Sequence, residues 1–134
     1  MNIDEIKAAL ISSSWNSNTL ELAISADFRC AYCNRYFLKD IEAWYSFELD
    51  HIVPKGEGPD TNENLVPACR LCNRFKRRYD PRQNAGPNPS RNDLISAAKD
   101  YIEQKRSAAE EKVQRERSLA EELISQLKMV EPTS

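Results

Sequence analysis

Residues 46–76 read SFELDHIVPKGEGPDTNENLVPACRLCNRFK, and the order of residue types in this stretch decides the fold. Phe47, Leu49 and Ile52 outline a strand, and Pro54, Gly56, Gly58 and Pro59 punctuate a polar loop. LVPAC at 65–69 outlines a second strand, and a helix opens near Arg70 or Leu71. The pattern predicts strand, loop, strand and helix. Asp50 and His51 fall at the end of the first strand, and Asn73 falls in the first helical turn. His51 is the only histidine in the chain.

Two Cys-x-x-Cys pairs frame the stretch: Cys30-Ala-Tyr-Cys33 and Cys69-Arg-Leu-Cys72, separated by 35 residues. Each pair bends the chain so that two thiolates face one cation. Together they complete the four-sulfur tetrahedron that zinc prefers, with Zn–S near ~2.3 Å. A closed shell has no position for substrate, so the expected Zn²⁺ is structural, and in so small a core its binding contributes to folding. The competing readings are two disulfides or a redox pair, but a redox motif needs only one Cys-x-x-Cys, set in a βαβ context absent here.

With the cysteines assigned, the remaining residues suit hydrolysis of a phosphodiester. That reaction needs a base for water, a divalent cation on the phosphate oxygens and an in-line arrangement. Histidine titrates nearest neutrality of the side chains, which suits His51 to be the base. Asp50 and Asn73 offer hard oxygen ligands, a sparse set that fits Mg²⁺ or Mn²⁺. Neighbours on a regular strand face opposite ways. We therefore expect Asp50 to reach a cation beside the strand end and His51 to lie across the phosphate.

Charge is distributed unevenly. The net charge is −2, yet residues 70–82 carry six basic residues and one acid, +5, leaving −7 for the rest. Such a patch can draw a polyanion to one face; its plainer reading is a solvated helix face. Arg70, Arg74, Lys76, Arg77 and Arg78 are the candidate phosphate contacts. Tyr32, Trp44 and Tyr45 read as core or knuckle packing rather than base-stacking platforms.

Outside this core, residues 1–27 read as helical cover. Ile3, Ile6, Leu10 and Ile11 keep helical spacing, and Asn18 or Thr19 is placed to cap a second helix carrying Leu20, Leu22 and Ile24. Residues 80–90, DPRQNAGPNPS, read as a proline-rich linker. From Ser90, a helix cap, residues 91–134 form a helical extension, with an apolar stripe from Leu94 to Leu127 and i,i+4 ion pairs such as Lys112 with Glu116. A continuous helix over 91–128 is roughly 55 Å long at ~1.5 Å per residue, which predicts a homodimer or a protein partner. The alternative is two shorter helices with a break near 103–112. No apolar run approaches the ~20 residues of a membrane span and the N-terminus has no secretory pattern, so the expected location is cytoplasmic.

From Cys30 to Lys76 the chain resembles an HNH endonuclease of the zinc-containing kind. The resemblance rests on both knuckles, the DHI core, NLVPAC and the CxxCN ending, and it covers a bit over a third of the chain. Asn73 stands where the family name implies histidine. The resemblance implies an α+β, mainly α chain with a ββα-metal (His-Me finger) core over 28–79. It implies that His51 is the general base, that Asp50 and Asn73 hold the catalytic cation, and that Asn64 braces the loop between the strands. The helix from about residue 70 is then expected against the DNA minor groove. The competing function is a non-catalytic zinc-knuckle module that binds nucleic acid or protein.

Overall fold

Alternation over 47–51 and the turn-rich segment after it yield one β-hairpin, against which α2 and α4 pack. The computed structural model describes residues 1–130; the last four positions of the expected 91–134 extension lie outside the described residues. The chain is mainly helical: α1 (Ile3–Ser13), α2 (Ser17–Ser25), α3 (Ile41–Tyr45), β1 (Phe47–His51), β2 (Leu65–Cys69), α4 (Arg70–Lys76) and α5 (Arg91–Val130), with short 3-10 turns at Asn62–Asn64 and Pro81–Gln83. β1 and β2 pair antiparallel, from Phe47 opposite Cys69 to His51 opposite Leu65.

Strand alternation splits β1 between two faces. Phe47 packs edge-on against Phe37 and Trp15, at centroid distances of 4.8 and 5.4 Å. Glu48 and Asp50 face α4, where Asn73 and Lys76 meet them. The core joins Cys30, Tyr32, Phe37, Ile52, Val66, Ala68, Cys69 and Cys72 to Ala98 and Ile102 of α5.

Contacts and helix caps set the boundaries of the elements. Contacts divide the chain into Met1–Ile102 and Glu103–Ser134, so the division falls inside α5 and not in the 80–90 segment. That segment is anchored: Pro81 is buried, and Tyr79 stacks on Tyr101 with ring centroids 4.0 Å apart. α5 is continuous to Val130, with no break at 103–112. Its start is fixed by Ser90, whose Oγ accepts from Asp93 N while Ser90 N donates to Asp93 Oδ2, a reciprocal capping pair.

At the other end, α2 is capped by Asn16, whose Oδ1 accepts from the N–H groups of Asn18 and Thr19, the two residues proposed as caps. α2 buries Leu20 and Leu22 as expected, together with Ala23, while Ile24 is half-buried. α1 buries nothing, and Ile3 is 71% exposed, so its apolar spacing does not mark a core face. Within Glu103–Val130, Val113, Leu119, Leu123, Ile124 and Leu127 are exposed. No helix among the described residues is long and apolar enough to cross a membrane.

The loop between the strands is held from inside by Asn64. Its Oδ1 accepts from Val53 N at 2.9 Å, and its Nδ2 donates to Val53 O at 2.8 Å and Pro59 O at 3.0 Å. Gly58 passes this amide so closely that an added Cβ would lie 2.7 Å from Val53 Cβ and 3.0 Å from Asn64 Nδ2. Gly58→Ala is therefore expected to cost about 1–3 kcal/mol of stability in urea denaturation, the usual range for overpacking.

Candidate functional site: zinc knuckles and a basic cleft

The four cysteine sulfurs lie within 4.8 Å of one another, and Cys33 Sγ stands 3.7 Å from Cys69 Sγ. A zinc tetrahedron with bonds of about 2.3 Å has edges of about 3.8 Å, so the four thiols fit one structural zinc. Backbone N–H groups already aim at the sulfurs. Cys69 N and Tyr32 N donate to Cys30 Sγ, and Cys72 N donates to Cys69 Sγ. Hydrogen bonding among the four thiols brings Cys33 down to about 6 and Cys69 down with it, and pushes Cys30 and Cys72 up. Cys69 is also the N-cap of α4, so the cluster fixes where that helix starts.

A buried ion pair ties α4 to β1. Lys76 is 1% exposed, and its Nζ sits 3.2 Å from Asp50 Oδ2 and donates to His51 O at 2.8 Å. Tyr32, between the first two cysteines, donates its hydroxyl to the same Asp50 Oδ2 at 2.6 Å. Burial pushes the Asp50 carboxyl above its usual range, against the opposing pull of Lys76 and Tyr32. Burial, and then the Asp50 charge, push the Tyr32 hydroxyl well up.

Two expectations change here. Lys76 is not a surface phosphate contact: its spacing on α4 turns it inward, where it neutralises Asp50. Asp50 is likewise buried and gives its Oδ2 to Tyr32 and Lys76, so only its Oδ1 is placed to meet a further partner. Sequence alone did not show this, since a lysine in a basic run looks like its neighbours.

The other predicted residues lie on two sides. Asn73 Nδ2 donates to Glu48 Oε1 at 2.8 Å, and Arg70 Nε donates to Glu48 Oε2 at 3.1 Å. Glu48, Arg70, Asn73, Arg74 and Arg77 line one open cleft, and Arg78 is exposed nearby in sequence. His51 faces the opposite way, its Nε2 3.1 Å from Asp60 Oδ1. The strand stays regular through His51 opposite Leu65, so Asp50 and His51 keep opposite faces.

Sequence reasoning missed Glu48 and Asp60. Glu48 stands two residues before Asp50, the spacing that puts both on one face of β1. Asp60 carried no signal, since its approach to His51 depends on how the loop folds back around Asn64.

With this geometry in view, residues 30–78 match the family model of the HNH endonuclease. No curated protein and no solved structure matches the chain. The matched segment runs from the first knuckle through α4 and contains all four cysteines, the β1–β2 hairpin and the cleft arginines.

Two stability measurements check the internal anatomy. Cys69→Ser is expected to lose zinc, read by metal analysis, together with helical circular dichroism; a zinc-free variant with unchanged melting contradicts the structural role. Lys76→Ala is expected to cost about 3–5 kcal/mol in denaturant melts because it leaves Asp50 buried and unpaired, whereas Arg77→Ala is expected to leave stability within about 0.5 kcal/mol.

Proposed function

We propose that the protein is a metal-dependent DNA endonuclease that hydrolyses phosphodiester bonds. The observation that carries this reading is the arginine cleft on α4, with Asn73 in its wall, beside a strand that ends in Asp50 and His51.

His51 acts as general base. With Nε2–H donating to Asp60, Nδ1 keeps the lone pair that takes a proton from water. The hydroxide so formed attacks phosphorus, the bond to the leaving oxygen breaks in line, and that oxygen collects a proton from solvent. Arg70, Arg74, Arg77 and Arg78 hold backbone phosphates along α4, while the phosphate that His51 attacks lies past the end of β1, where the Asp50 and His51 faces meet.

A divalent cation, Mg²⁺ or Mn²⁺, would be held by Asp50 and Asn73 and would polarise the phosphate and stabilise the leaving oxygen. The donor set fits such a hard ion. Asp50 keeps Oδ1, which neither Tyr32 nor Lys76 uses, and Asn73 keeps its amide oxygen once Nδ2 is given to Glu48. Tyr32 and Lys76 then serve to aim the carboxylate.

A second reading, a non-catalytic zinc-knuckle module, is favoured by one observation: the Asp50 carboxylate is already neutralised by a buried lysine. The two readings separate on supercoiled plasmid with Mg²⁺ or Mn²⁺. The endonuclease is expected to relax or linearise it, and His51→Ala to lower the rate at least about 10²-fold with zinc content and melting preserved. Intact plasmid with the unaltered protein, or full cutting by His51→Ala, rejects the assignment.

A further inference from the structure

Trp44 and Tyr45 are not packing residues: they are 42% and 64% exposed, at the end of α3, with ring centroids 5.2 Å apart. They line a hollow of about 330 Å³ with Trp15, Phe37, Phe47 and a polar edge of Ser14, Asn16 and Thr19. That volume lies at the lower end for small-ligand sites, about 300–1,000 Å³, and suits one planar ring system. The walls are aromatic, and the polar edge offers hydrogen bonds to a ring's rim. Asn16 commits Oδ1 to capping α2, which leaves its Nδ2 as a donor there.

The hollow meets the basic cleft at one contact. Arg70, which lines the cleft, donates from its guanidinium to Tyr45 O at 3.3 Å. Phe47 of the hollow and Glu48 of the cleft are consecutive on β1 and so face opposite ways, which makes the Arg70 contact the link between the two. A ligand with a flat apolar face, a polar rim and an attached anionic chain satisfies both sites at once, and a nucleotide of a DNA strand is such a ligand.

We propose that the aromatic hollow receives an unpaired nucleobase from the strand whose phosphates lie in the arginine cleft. This rests on the DNA reading above and narrows it. The favoured substrate is DNA with a base already out of the stack, at a bulge, a mismatch or a single-stranded stretch, because an intact duplex must first spend free energy on unstacking. Stacking on aromatic side chains is sequence-tolerant, so this selects by structure and not by sequence.

The test uses the full chain, zinc-loaded, in the His51→Ala background so that binding is read without cutting. Three oligonucleotides are compared: a paired duplex, the same duplex with one bulged 2-aminopurine, and its single strand. The bulged DNA is expected to bind about tenfold tighter than the paired duplex, and its 2-aminopurine emission to be quenched. Trp44→Ala with Tyr45→Ala is expected to abolish both the preference and the quenching while duplex binding stays unchanged, and Trp44→Phe to retain them. Equal affinity for all three DNAs, or quenching that survives the double substitution, overturns the proposal. If the unaltered protein still cuts plasmid in that case, the endonuclease reading stands alone; if it neither cuts nor binds DNA, both readings fall together.

Discussion

The convergence of four sulfurs from two distant segments is the constraint on which the first unit depends. The Cys30–Cys33 turn and the β2–α4 corner are far apart in sequence, yet Cys69 N donates to Cys30 Sγ and Ala31 N donates to Pro67 O. A two-stranded hairpin is marginal alone in water. Here the cysteines anchor it to the knuckle and, through the shared core, to Ala98 and Ile102 of α5. Without that junction α4, only seven residues long, has little reason to form.

Structural and chemical roles meet in Tyr32. It belongs to the first knuckle by position and to the hairpin by its hydrogen bond to Asp50, so the orientation of that carboxylate is tied to the geometry of the cysteines. Lys76 completes the arrangement from α4 and also grips the carbonyl of His51. A buried ion pair of this kind is weak evidence of added stability, because desolvation offsets much of the attraction. Its evident effect is positional: three segments agree on where β1 ends.

Much of this was legible in the sequence. The knuckles, the hairpin and the helix after it came from cysteine spacing and turn residues, and the Ser90 cap came from side-chain chemistry. The features that escaped depend on which way a side chain turns. Lys76 looked like Arg74 and Arg77, yet only it faces inward. Ile3 and Ile6 kept helical spacing, yet α1 buries none of its residues. Asn16 and not Asn18 caps α2, a shift of two positions that periodicity alone does not resolve. Asp60 and Glu48 gained their places through the loop fold and the strand register, both settled by tertiary contacts.

α4 sorts its residues by rotation about its axis. Positions 70, 73, 74 and 77 line the cleft, while Cys72 and Lys76 are buried. Since Cys69 pins the first turn, the helix cannot slip to repair a change in length, and each residue added or lost after Cys72 rotates every later side chain by about 100°. A basic side chain exchanged for another at an outer position leaves this sorting intact, whereas a change of length does not. Divergence here is confined to chemistry at a constant spacing, and the interval between Cys72 and Lys76 is the ruler that descendants of this chain must keep.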